Sequence, residues 1–184
     1  MCRIWEVLKD VLPSICTIIV AIISGWFVIQ SAKKSRREEQ AKRLSESLES
    51  FYYPFLLHAK KTTQLYAALK SLMQWENGEN GCVSFLLEGH KFSDNAAIIF
   101  SQILDNDNQL NELIINHSNV VSNAKLREEL SELSAHYTIL ELAEKGNLKG
   151  DVDTLSKYSY PTKIVESVEN EITRIEARIS KLSD

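Results

Sequence analysis

Apolar positions fall along this chain in two regimes. Residues 11–32 form a run of 22 positions without a single charged side chain. From Leu44 onward apolar residues recur at intervals of three and four: Leu44, Leu48, Phe51 and Phe55, then Leu65, Leu69, Leu72 and Met73. The second regime is the stripe of a helix with one buried face. The first is the continuous apolar surface of a helix with no water on any side. A helix rises roughly 1.5 Å per residue, so about 20 apolar residues cross a hydrocarbon core of about 30 Å. A helix in a soluble core keeps a polar stripe, which this run lacks. A cleaved signal peptide has a shorter apolar region that ends at small residues, whereas this run leads straight into charge. The pattern predicts a transmembrane helix over 11–32.

The remaining pattern predicts helices throughout. The stripe from Leu44 implies that the membrane helix continues for several turns, with a kink near Tyr53 imposed by Pro54. "ENGENG" at 76–81 ends that segment. "KFSDNAAIIFSQIL" opens a second helix with Ser93 as N-cap, and "DNDNQLNELIINHS" continues or restarts it. "SNAKLREELSELSAHYTILELAEKG" is a helix capped by Ser122 or Asn123 and stopped at Gly146. Residues 147–160 read as a loop, and a final helix starts at Pro161, a favoured first-turn residue. In that helix Val168, Ile172, Ile175, Ile179 and Leu182 keep heptad spacing, which suits either a core helix or a pairing between subunits. The expected fold is all-α: segment 1–10, a membrane helix at 11–32, a basic juxtamembrane helix at 33–50 and a helical-bundle domain at 51–184.

Charge sets the orientation. Lys33, Lys34, Arg36, Arg37, Lys42 and Arg43 follow the run within eleven positions, whereas Arg3 and Lys9 before it are balanced by Glu6 and Asp10. Basic excess stays on the cytoplasmic side, so the N-terminus is predicted outside and the C-terminus in the cytoplasm, with the basic stretch against anionic lipid. Residues 44–184 carry 13 Lys+Arg against 21 Asp+Glu, a net of −8. Such a domain makes a poor partner for DNA or long RNA, whose affinity comes mainly from neutralised phosphates. It leaves room for a local site that takes one small anion.

Little in the sequence points to catalysis. No CxxC pair, HExxH, P-loop, GxGxxG or GxSxG is present. His58, His90, His117 and His136 do not share metal-ligand spacing, His136 reads as structural and Cys82 as a small buried hydrophobe. "REELSEL" and "ESVENEITRIE" read as solvated helix faces. No enzyme, metal or cofactor is expected. Two loop-to-helix junctions remain as candidate anion sites. "NHSNVVSNAKLR" at 116–127 brings His117, Asn119, Asn123, Lys125 and Arg127 to a helix start, where free backbone N–H groups favour phosphate. "LSKYSYPTK" at 155–163 flanks Tyr158 and Tyr160 with Lys157 and Lys163, and Thr162 completes the turn. Rings that can stack a base, interleaved with lysines, suit a nucleotide. Both stretches also read as ordinary capped loops.

A short leading segment, one membrane helix, a basic stretch and a small helical domain beginning "ESFYYPFLLHAKK" look like the compact membrane effectors of bacterial antiphage defence. The chain is most similar to the CRISPR-associated membrane proteins of type III systems. The resemblance implies a single-pass protein of the bacterial inner membrane, with a periplasmic N-terminus, whose cytoplasmic domain binds a cyclic oligoadenylate, the tetra-adenylate by preference. It also implies a homo-oligomer, a tetramer or larger, whose membrane helices then perturb the bilayer. On that implication Lys157, Lys163, Lys125 and Arg127 face phosphates, Tyr158 and Tyr160 stack adenines, and Asn119, Asn123 and His117 meet base edges or ribose. The competing expectation is a membrane-anchored helical scaffold or interaction subunit with no small ligand.

Overall fold

The computed structural model describes residues 2–75, 81–148, 155, 160–161 and 163–183, with side chains described in these except at 2–19 and 21. Regular structure among the described residues is entirely helical. Helix α1 spans Cys2–Ser47, a π-helical turn covers Leu48–Tyr52, and α2 follows at Tyr53–Met73. Then come α3 at Cys82–Leu87, α4 at Asp94–His117, a 3-10 turn at Ser118–Val120, α5 at Ala124–Glu144 and α6 at Ile164–Ser183. The chain divides into two units, one of Met1–Leu44 with Arg178–Asp184 and one of Ser45–Ala177.

In the first unit α1 is helical through the apolar run and the basic stretch. Val20, Ile22, Ile23, Trp26, Phe27, Val28 and Ile29 are all 50 % exposed or more. Among the described residues no helix is long and apolar enough to cross a membrane. Side chains 11–19 and 21 of the expected span lie outside that description.

The second unit begins at Ser45, in the last residues of α1, and the π turn follows. Pro54 lacks an N–H, and in an α-helix its ring would press on the carbonyl four residues back. The chain answers with a wider turn just before it, in which the Tyr53 N–H reaches back five residues to the Leu48 carbonyl. The turn keeps Leu48, Phe51 and Phe55 on the buried side at 4 %, 0 % and 0 % exposure, as their spacing predicts. Helix α2 packs along α4, α4 along α5, and α3 against α5. Leu69, Cys82, Val83, Phe100, Ile103 and Leu140 form one core cluster under Trp75 and Phe92.

Several boundaries differ from expectation. Helix α2 closes at Gln74, which takes the left-handed conformation, while Trp75 N–H bonds the Lys70 carbonyl. Residues 76–80 of "ENGENG" lie outside the described residues. Leu72 points outward at 48 % exposure, whereas Met73, four residues after Leu69, packs against the core. Of the stretch 105–118, all but Ser118 continues α4 without a restart, and α3 is an additional element. Ser93 occupies the N-cap of α4 without a side-chain cap bond, whereas Asn123 caps α5 by accepting from the Leu126 N–H. Gly146 stops α5 as expected: at φ +67° it lets Asn147 N–H reach Leu142 O and its own N–H reach Ala143 O. Helix α6 starts at Ile164 rather than Pro161, whose carbonyl accepts the Ile164 N–H. Leu155 is helical, within the stretch 147–160 read as loop; most of that stretch lies outside the described residues. Val168, Ile172 and Ile175 bury in the core of the second unit, which favours the core-helix reading of their heptad spacing.

Candidate functional site

The start of α5 is held by side chains from α6. Asn123 spends its oxygen on the Leu126 N–H at 3.3 Å and donates its amide to Glu171 Oε2 at 3.2 Å. Arg174 forks onto the same carboxylate, with Nε 2.9 Å from Oε2 and Nη2 2.5 Å from Oε1, and also donates to Ser122 Oγ at 3.4 Å. Glu171 is 3 % exposed. "ESVENEITRIE" is therefore not a uniformly solvated face: position 171 follows the stripe of Val168, Ile172 and Ile175 inward. Burial pushes the Glu171 carboxyl up, but the bonds from Arg174 and Asn123 and the charge of Arg174 outweigh it and hold it below the usual value. The buried Tyr52 hydroxyl on the π turn has no hydrogen-bond partner among the described residues, and burial, then the charge of Glu171, raises it to about 12 against the opposing pull of Arg174. The Asn123 side chain, expected to meet a base edge or ribose, is thus engaged by the Leu126 N–H and by the protein's own carboxylate.

The other expected residues divide. Lys125, Arg127, Asn119 and Lys163 are exposed, and Lys125 pairs with Glu129 at 3.7 Å. His117 is half-buried at the end of α4. Tyr160 and His136 meet edge to face, with centroids 5.8 Å apart, and the Tyr160 hydroxyl is buried, so in this arrangement it is packed on the core. Lys157, Tyr158 and Thr162 lie outside the described residues. Among the described residues no hydrogen bond or ion pair joins Tyr160 or Lys163 to Asn119, Asn123, Lys125 or Arg127.

A second cluster lies inside the bundle, between α2 and α4. Asn106 donates its amide to the His58 carbonyl and to Thr62 Oγ1, both at 2.8 Å. Thr62 passes its own hydrogen to Asp107 Oδ1 at 2.8 Å. Asn106 Oδ1 lies 2.7 Å from His58 Nδ1. With both amide hydrogens engaged, Asn106 offers only an acceptor there, so His58 carries its hydrogen on Nδ1. Asn106, Asp107 and Thr62 are at most 5 % exposed. Burial raises the Asp107 carboxyl to about 7 against the opposing bond from Thr62. Burial likewise raises Cys82 and Tyr160 to about 12 and Tyr137 further still. The Tyr137 and Tyr160 hydroxyls are neighbours close enough to perturb one another, yet among the described residues neither makes a hydrogen bond of good geometry.

The sequence carried a signal for this cluster that composition alone hides. Phe100, Ile103, Leu110 and Ile114 form the buried stripe of α4, and positions 106 and 107 fall on it. Polar residues on a core stripe need partners, and these find them. His136 and Cys82 are buried at 8 % and 6 %, as expected of structural residues. No group of three or more metal-ligating side chains occurs among the described residues. No family model matches the chain, and no curated protein or solved structure matches it either.

Proposed function

We propose that this chain is a single-pass membrane effector whose helical unit senses a cyclic oligoadenylate in the bacterial cytoplasm. The observation that carries the membrane part is the charge asymmetry: none over 11–32, then six basic residues within eleven positions. Two further facts support it. Helix α1 is unbroken through this region, as a spanning segment requires. Its exposed apolar side chains from Val20 to Ile29 are a surface that lipid or neighbouring copies would cover. Ser24 and Gly25 are small residues of the kind that let membrane helices approach, which suits an oligomer. A reporter active only in the periplasm, fused after Asp184, is expected to stay silent. Activity there would remove access to cytoplasmic nucleotides and sink the sensor reading.

The ligand part rests on the exposed basic and amide groups Lys163, Arg127, Lys125 and Asn119, near helix starts of an otherwise acidic unit. A symmetric polyanion such as cyclic tetra-adenylate suits a site repeated around a homo-oligomer. Titrating the full chain in nanodiscs with cyclic tetra-adenylate tests it. Lys163→Ala and Arg127→Ala should each weaken binding by about tenfold, the effect of one lost charged hydrogen bond. The engagement of Asn123 with Glu171 and of Tyr160 with His136 favours a second reading, an anchored scaffold without a small ligand. Absence of binding by the parent chain would select it.

A further inference from the structure

We propose that Asp107 is a pH-responsive lock in the helical unit: neutral, it lets α2, α4 and α5 close around it, and ionised, it loosens them. The proposal is independent of any ligand. Asp107 is 3 % exposed and among the described residues its carboxyl receives one side-chain hydrogen bond, from Thr62. No basic side chain pairs with it among the described residues. Its neighbour Asn106 has spent both amide hydrogens elsewhere. An ionised carboxylate in that position is a buried charge without a counter-charge, which folded proteins avoid by keeping the proton.

The titratable groups around it come from every packed element. Cys82 comes from α3, Tyr137 from α5 and Tyr160 from the stretch before α6; all three feel the Asp107 charge and stay neutral, with their own values raised to about 12 or beyond. His58 on α2 reaches Asp107 only through Asn106 and Thr62, and His136 touches Tyr137 and Tyr160. Because the Asp107 carboxyl rises from 3.8 to about 7 on folding, the folded chain holds the proton longer than the unfolded chain. Its stabilising effect is complete below the unfolded value and is lost as pH climbs through the folded one.

Thermal unfolding of the full-length chain in detergent micelles, followed by circular dichroism from about pH 5 to about pH 8, reads this directly. The parent Tm should fall by roughly 5–10 °C across that range. Asp107→Asn, which keeps the acceptor for Thr62, should abolish most of the slope and unfold above the parent at the alkaline end. If the variant does not fold, the infrared band of a protonated carboxylic acid in the parent near neutral pH carries the test. A parent Tm that stays level, a slope that survives in Asp107→Asn, or the absence of that band would overturn the proposal.

Discussion

Replacing Phe51 with alanine should destabilise the helical unit by about 3–5 kcal/mol, the usual loss for an aromatic ring removed from a packed interior. Phe51 is 0 % exposed, stacks its edge on Tyr52 at 5.2 Å and lies 5.4 Å from Phe55. It sits within the π turn, where backbone hydrogen bonding is already altered by Pro54, so the turn depends on side-chain packing to hold its shape. Urea unfolding of the full chain in micelles, read by helical signal, measures the loss. Leu57→Ala on the next turns of α2 is the control, because Leu57 is 70 % exposed and should change stability by no more than about 0.5 kcal/mol. Equal effects of the two changes would mean that the turn is not docked as described.

Removing Arg174 should cost about 2–3 kcal/mol, more than a surface ion pair supplies. Half of the Arg174 side chain is exposed, but its partner Glu171 is not: that side chain is 2 % exposed and among the described residues would keep only the Asn123 amide. The loss is therefore the desolvation of a stranded charge more than the attraction of the pair. Two consequences separate this from ordinary surface chemistry. In Arg174→Ala stability should improve as pH falls, because protonation neutralises the stranded carboxylate. In the parent the sign reverses. The Glu171 value is held below that of the unfolded chain, so its contribution is present at neutral pH and is lost as pH falls through the folded value. A double-mutant cycle with Glu171→Gln should also show strong coupling, the pair costing less than the two single changes added together. Additive effects would place the stabilisation elsewhere.

Periodicity made much of the helical unit legible. Leu48, Phe51 and Phe55, and later Val168, Ile172 and Ile175, bury where their spacing puts them, because burial of a stripe is a local consequence of helix geometry. The Asn123 cap and the Gly146 stop were equally local, since each acts within one turn of its own helix. What escaped was pairing at long range. His58 and Asn106 are 48 positions apart, as are Asn123 and Glu171, and no helix periodicity reports which polar residue will meet which. Glu171 looked like part of a solvated face because it stands among the charged and polar residues of "ESVENEITRIE"; its inward turn is settled by Asn123 and Arg174. For the same reason residues 116–127 alone did not show that the Asn123 amide meets Glu171, a carboxylate on a helix four dozen residues later.

The hydrogen bond from His58 to Asn106 has a consequence for the imidazole itself. With Nδ1 committed to a buried amide oxygen, the two ring nitrogens are no longer interchangeable. A ring flip would break that bond and leave the Asn106 oxygen, inside a side chain only 1 % exposed, with nothing to accept. His58 is therefore held as one tautomer in one orientation, and the free lone pair of the ring lies on Nε2 alone.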